Sequence, residues 1–377
     1  MRVAILGGGV LGASTAFHLA RAGAEVTLID AAHQGRATAA GAGIICPWVS
    51  GASGAFYRLY AAGARYYPEL LAALHSCGED DLGYARTGGL CVSDNAAELD
   101  FIADLVRRRG EEAPEAGQVR RLSAHEARAL FPPLRDTLAG VLVSGGARID
   151  GRRLTASLVR AAHGLGARSH DGTGTLLTSG ERVSGVRVAA TTIAADATIV
   201  TAGAWAPPLL QPLGLTLPVI PQRGQIVHLR LPGADTVAWP VVLPQGEHYL
   251  LAFEDSRIVA GATREADSGF DYRVTAAGQA EALHEALRVA PGLANATVTE
   301  TRVGFRPLST DGLPLLGFVR GIDGLLVGNG LGAAGLTIGP FAGKLLAELA
   351  LDKKSSMDVA PFDPQRRPRH VLRSTIR

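Results

Sequence analysis

The segment "GFRPLSTDGLPLLG", residues 304–317, places one arginine, Arg306, in a largely apolar stretch that also carries two prolines. Burying an unpaired guanidinium costs on the order of several kcal/mol. Arg306 therefore needs a partner, either an acid or carbonyls of the chain itself or the carboxylate of a ligand. A second pattern with chemical content is Gly7-x-Gly9-x-x-Gly12. In this spacing the first glycine allows a tight turn, the second lets backbone approach a pyrophosphate, and the third lets a helix pack closely on a strand. The helix N-terminus then faces the phosphates. Asp30 follows Gly12 by 18 residues, near the roughly 20 expected of an acid that accepts a hydrogen bond from a ribose hydroxyl. Together these residues point to an adenine dinucleotide. The fingerprint alone does not separate a nicotinamide from a flavin.

These residues act only if secondary structure holds them in place. "RVAIL" (2–6) reads as a strand, Ala13 to Ala22 as a helix, and "AEVTLID" as a second strand ending at Asp30. "GRATAAGAGIICP" (35–47) is built of small residues, which let backbone pass close to a bulky ligand and equally suit a loop or helix start packed on a sheet. Two further apolar strands end in glycine. "ATIVTAGAW" (197–205) closes on Gly203, and "GLLVGNGLGAAGLTIGP" (324–340) runs through a glycine-rich turn into the helix "FAGKLLAELAL". Ligands of open parallel sheets lie beyond the carboxyl ends of the strands, so three glycine-ended strands predict one ligand long enough to touch all three turns. Residues 52–75, 123–131 and 152–166 read as helices. From about Pro218 to Gly304, "GQIVHLRL", "HYLLAF" and "RIVAGATRE" read as antiparallel strands, followed by the helix "AAGQAEALHEALRVA". The predicted fold class is α/β: a discontinuous Rossmann-like dinucleotide domain (1–80, 145–217 and 303–377) interrupted by an α+β, mixed-sheet substrate domain (81–144 and 218–302).

Composition excludes several classes of function. Of 377 residues, 47% are hydrophobic and 19% charged, which suits a globular protein with a large core. Lys plus Arg is 37 and Asp plus Glu 35, too even a balance for a nucleic-acid or anionic-membrane partner. Cys46, Cys77 and Cys91 are odd in number and lack zinc-ligand spacing, so no structural metal or disulfide framework is expected and a reducing, cytoplasmic setting is. Arg2 and the apolar run after it mimic an export signal, but Gly7, Gly8, Gly9 and Gly12 would break the signal helix. There is no uninterrupted apolar run of about 18 residues, the length of a membrane span. The Arg- and Pro-rich tail from Pro361 reads as a solvated surface segment.

Five ordered segments carry a resemblance: "AILGGGVLGASTAFHLARAGAEVTLID", the small-residue segment through Gly43, "GARIDGRRLTASLVRAA", "TAGAWAPPLLQPLGLTLPVIPQRGQ", and "GFRPLSTDGLPLLG" followed by "GNGLGAAGLTIGPFAG". Through them nearly the whole chain resembles the flavin-dependent D-amino acid oxidase family, which includes glycine oxidase, sarcosine oxidase and bacterial D-amino acid dehydrogenase. The resemblance implies FAD. Gly7, Gly9, Val10, Leu11, Gly12, Asp30 and Ala31 would hold its ADP half. The backbone of Ala39, Ala40, Gly43 and Ile44 would lie along the pyrophosphate, ribitol and ring. Thr201, Gly203, Trp205 and the run Gly330, Leu331, Gly332, Gly335, Leu336 and Thr337 would close around the flavin.

The resemblance also implies a small-molecule amino acid substrate, with hydride passing from Cα of the neutral amine to flavin N5. Positioning within about 3 to 3.5 Å matters more there than a strong base. Arg306 would clamp the carboxylate through two parallel charge-assisted hydrogen bonds. Tyr249 matches a family tyrosine that helps hold the carboxylate, whereas the bare residue reads as core or surface. His248, its neighbour, should face the other side of a regular strand, so that only one of the two points at the flavin. Arg223 and Arg264 are weaker candidates, equally readable as ion pairs, and Trp48 reads as core before pocket wall. Asp30 stands where many members have glutamate. No cysteine lies near position 307 or in the glycine turn, so FAD should be noncovalent. Leu331 replaces a histidine of many relatives, and Ala333 an arginine of glycine oxidase.

The expected reaction is oxidation of the C–N bond of a D-amino acid, or of a secondary or cyclic amino acid of the D-proline or hydroxyproline type, to the imine. Oxygen or a quinone or electron-transfer partner would accept the electrons. Glycine or sarcosine oxidation is the competing enzymatic reading, and a noncatalytic FAD-bound subunit of a larger complex the reading from another class. Peripheral attachment to the inner membrane and homo- or hetero-oligomerisation are left open by the sequence.

Overall fold

A computed structural model describes residues 1–367. The chain begins with a strand, Arg2–Leu6, at the heart of a six-stranded sheet. The order across that sheet is Leu315–Phe318, Leu325–Asn329, Ala197–Val200, Arg2–Leu6, Glu25–Asp30 and Arg168–Asp171, and all neighbours are parallel except the first pair. A parallel sheet must be covered on both faces, and alternation along the strands shows how. Val3 and Ile5 pack with the helices Val10–Arg21, Gly54–His75, Gly151–Gly164 and Gly335–Ala350. Ala4 and Leu6 face a three-stranded meander of residues 174–194 on the other side. Each fully buried aliphatic side chain of this kind contributes roughly 1.5–3 kcal/mol.

An eight-stranded mixed sheet forms the second layer system. Its order is Thr297–Ser309, Val219–Arg230, Arg257–Gly261, Tyr249–Ala252, Val241–Pro244, Gly89–Ser93, Ala139–Val143 and Val119–Leu122. One face, with Val227, Leu250 and Ala260, packs with the helices Ala124–Leu130 and Ala276–Val289. Ile226, Leu251 and Val259 face the other way and pack with Ile44 of the small-residue segment. That segment is therefore clamped between the two systems.

Two expectations are corrected and one element is added. The last helix begins at Gly335, not Phe341, and so carries Pro340 inside it. Proline cannot donate to the carbonyl one turn back, and that carbonyl, Leu336 O, is taken instead by the Tyr67 hydroxyl at 2.5 Å. The meander of residues 174–194 was not read from the sequence. The tail does not simply float from Pro361: Phe362 is buried, and Arg366 grips Asp311 through Nη2 and Nε at 2.6 and 2.8 Å. The expectation for the remaining tail lies outside the described residues.

Candidate active site

Three strand ends open on one cavity. Gly7, Gly203 and Gly330 follow the strands Arg2–Leu6, Ala197–Val200 and Leu325–Asn329, and all three have positive φ (113°, 54° and 70°). The turns are tied to one another. Thr201 Oγ1 donates to the Gly7 carbonyl at 2.9 Å, Asn329 Nδ2 donates to Gly203 O at 2.9 Å, and Asn329 Oδ1 accepts from Gly330 N at 2.7 Å. Asn329 went unnoticed in the sequence, where it is merely the residue between two glycines. Gly12 packs so tightly that a Cβ there would sit 1.9 Å from Gly7 O. The helices Val10–Arg21 and Gly335–Ala350 begin without a side-chain cap from the N-cap residue and without an acid in the first turn. Thr38 Oγ1 takes only the Val10 N–H, at 3.1 Å, so both N-termini remain suited to negative charge.

The cavity is about 1010 Å³ and runs from these glycines to the eight-stranded sheet. Ligand pockets commonly reach about 300–1,000 Å³, so it has room for a dinucleotide and a small molecule beside it. Gly7, Gly9, Val10, Leu11, Asp30, Ala31, Ala40, Gly43, Ile44, Thr201, Gly203, Trp205, Leu331, Gly332, Gly335 and Leu336 line it. Four of the residues expected on FAD stand one layer behind the wall. Gly12 backs the Gly7 turn, Ala39 O accepts from Arg152 Nε at 2.8 Å, Gly330 packs on Ser309, and the Thr337 hydroxyl donates to Ile44 O at 2.9 Å. In this way they shape the cavity wall. Asp30 accepts from Arg36 Nη1 at 2.7 Å and from Ala32 N at 3.1 Å. A carboxylate has further acceptor sites, and the pair leaves room for a hydroxyl.

Arg306 lies at the other end, and cross-strand register explains why. Gly304 pairs with Gly224 and Arg306 with Gln222, which sets Arg306 diagonal to Gly224 on the cavity face. The guanidinium lies over that glycine: a Cβ at Gly224 would be 2.5 Å from Nη1. Nη1 donates to the Thr263 carbonyl at 3.0 Å. Among the described residues no acid pairs with Arg306. Burial pushes its pKa down; the nearby Tyr249 opposes this and the Arg264 charge adds to it. Tyr249 stands in the row Ile226, Gly261, Tyr249, with its hydroxyl 3.0 Å from where a Cβ on Gly261 would be. Burial raises its pKa against the pull of Arg306 and Arg264.

Tyr249 faces the cavity, whereas the His248 ring turns to the other face of the sheet, with Nε2 3.5 Å from Oε1 of Glu281 in the helix Ala276–Val289, as strand alternation predicts. Arg223 is excluded from the cavity by its pairs with Glu265 and Asp271 at 2.5 and 2.9 Å. Arg264 does line the cavity, paired there with Glu247. Trp48 is core, with 1% exposure. Cys46 and Cys91 also line the cavity, which no spacing signal announced. Burial raises both thiol pKa values, to about 12 for Cys91, so neither is a ready nucleophile. Among the described residues no cluster of His, Cys, Asp or Glu could hold a metal.

Comparison with known proteins agrees with this geometry. The family model described as FAD dependent oxidoreductase, DAO, matches residues 2–349. This chain belongs to that family. The chain is similar to iminodiacetate oxidase from Chelativorans sp. BNC1, whose crystal structure superposes with a TM-score of 0.94 at 53% identity, covering 96% of this chain and 99% of that one. It is 49% identical to an uncharacterized oxidoreductase, YurR, of Bacillus subtilis strain 168 (96% and 97% covered). It is 33% identical to glycine oxidase of Pseudomonas aeruginosa (96% and 98% covered). The DAO chain described here is accordingly an FAD-dependent oxidoreductase acting on amino acid C–N bonds. No described helix is long and apolar enough to cross a membrane.

Proposed function

We propose that this enzyme oxidises the C–N bond of a small amino acid carrying a secondary amine, with its carboxylate on Arg306 and Tyr249. The observation that carries this reading is Arg306, a guanidinium on the cavity face whose hydrogen-bond partner is a carbonyl rather than an acid. Bound FAD supplies the two-electron acceptor for hydride leaving Cα. The chain's own work is positional. Two parallel N–H donors from Arg306 fix the carboxylate plane, and the Tyr249 hydroxyl adds a third contact. With the carboxylate fixed, Cα has one orientation toward the glycine-lined part of the cavity, which is the source of the rate gain from proximity. The neutral amine's lone pair assists hydride departure, and the resulting imine hydrolyses to a carbonyl acid and an amine.

The cavity-lining residues Gly7, Gly9, Val10, Asp30, Gly43 and Gly203 are assigned to FAD in this reading, and residues 81–144 and 218–302 to the substrate domain. Iminodiacetate heads the substrate list, because the 53% identical structure is an iminodiacetate oxidase. It would yield glyoxylate and glycine. D-Amino acids and cyclic secondary amines of the D-proline type follow, with oxygen as acceptor, as the relatives named oxidases suggest. The test is anaerobic bleaching of the flavin by iminodiacetate, sarcosine, glycine, D-alanine and D-proline, followed by air. Iminodiacetate should bleach fastest, and air should restore the colour with release of hydrogen peroxide. The reading is lost if no amine bleaches the flavin.

A further inference from the structure

Two guanidiniums, not one, reach the substrate end of the cavity. Arg264 directly follows Thr263, whose carbonyl accepts from Arg306, and both arginines line the cavity beside Tyr249. Placing like charges this close is unfavourable unless anions arrive to separate them. For Arg264 one anion is already there: Glu247 Oε2 lies 2.9 Å from its Nε. That pair is not sealed in the core. The side chains are 28% and 37% exposed, and Glu247 lies in the turn between the strands Val241–Pro244 and Tyr249–Ala252, next to Gly246 at φ 105°. An exposed pair of this kind contributes little, about 0–1 kcal/mol, so a ligand carboxylate can displace Glu247 at small cost.

We infer that Arg264 anchors a second substrate carboxylate, with Glu247 as the internal stand-in that swings away when it binds. The inference rests on the oxidation reading above and deepens it. The substrate class becomes secondary amines flanked by two carboxylates, one on Arg306 and Tyr249, the other on Arg264. Glu98, which also lines the cavity and accepts from the Ser93 hydroxyl at 2.6 Å, adds a negative wall on its own side. It would disfavour a carboxylate placed there and so leaves Arg264 as the cationic partner.

The test pairs ligands that differ by one carboxylate. Iminodiacetate is compared with sarcosine as substrate, and diglycolate with methoxyacetate as redox-inert ligands read by perturbation of the flavin absorbance. In the wild-type holoenzyme the dicarboxylates should be preferred. Arg264→Gln should reduce the ratio of kcat/KM for iminodiacetate over sarcosine by about 10- to 100-fold, the range for loss of a charged hydrogen bond, mainly through KM. The diglycolate preference should fall in parallel. Glu247→Gln should tighten diglycolate several-fold, and it tests the idea even if the arginine variant folds poorly. Ratios unchanged in Arg264→Gln, or diglycolate no tighter in Glu247→Gln, overturn the inference. A wild type that binds diglycolate tightly but oxidises no amine would overturn the oxidation reading and leave this one standing.

Discussion

At the scale of single residues, Arg306 shows how much an unlikely setting can reveal. A guanidinium in "GFRPLSTDG" needs a partner, and the structure supplies a carbonyl at 3.0 Å together with an open cavity. Lysine would keep the charge but not the planar fork. Arg306→Lys should therefore raise KM for the carboxylate substrate by about 10- to 100-fold, while the purified protein keeps its flavin spectrum. Steady-state kinetics set beside an absorbance scan checks this, and an unchanged KM would remove Arg306 from the site. Its neighbours were less legible. Gly224 matters because the Arg306 side chain crosses it diagonally, and Arg264 because Thr263 sits beside it. Both facts depend on register between strands some 40 to 80 residues apart in sequence, and no local pattern encodes that.

At the scale of elements, glycines settle how closely strand, turn and helix approach. Gly12 is the sharpest case, since a Cβ there would meet Gly7 O at 1.9 Å and the Thr201 hydroxyl at 2.6 Å. Backbone cannot yield as a flexible side chain would, and overpacking of a tight core costs about 1–3 kcal/mol or more. Gly12→Ala should lower the urea midpoint and release FAD on gel filtration; a variant that elutes yellow with an unchanged midpoint would contradict the packing argument. Elements with strong periodicity were readable from sequence, including the first strand, helix and strand and the amphipathic helix near 152–166. The start of the last helix was not. Gly335, Gly339 and Pro340 look like a loop to any propensity argument. They are helical because small residues let the helix press on its neighbours: Gly339 abuts Val10, and Gly343 abuts Ser14, whose hydroxyl donates to Pro340 O at 2.7 Å. The meander of residues 174–194 escaped notice because its strands are short, partly exposed and rich in threonine, serine and glycine.

At the scale of the whole molecule, the two layer systems each hold a histidine kept neutral by the fold, and both histidines lower stability as pH falls below about 6.5. His18 lies where the helices Val10–Arg21, Gly54–His75 and Gly335–Ala350 meet, with Nε2 2.8 Å from the Tyr66 hydroxyl. Desolvation, reinforced by the charges of Lys344 and Arg21, lowers its pKa to about 3. His228 is 1% exposed in the long strand Val219–Arg230, with neither ring nitrogen hydrogen-bonded. Desolvation, aided by Arg302, lowers its pKa to about 4, against the opposing pull of Glu300. An unfolded histidine titrates near 6.5. Between that value and the folded pKa the unfolded chain binds more protons than the native one, so stability falls as pH falls through this window. Above about pH 6.5 both states are neutral at these sites and the contribution is flat. The limiting slope is about 1.4 kcal/mol per pH unit for each histidine. Urea unfolding at pH 8, 6.5 and 5 should thus show little change over the first interval and a clear loss over the second. His18→Gln should reduce that second loss, because glutamine occupies the helix junction without a proton to take up. Equal losses in the two proteins would mean that His18 does not remain neutral in the fold.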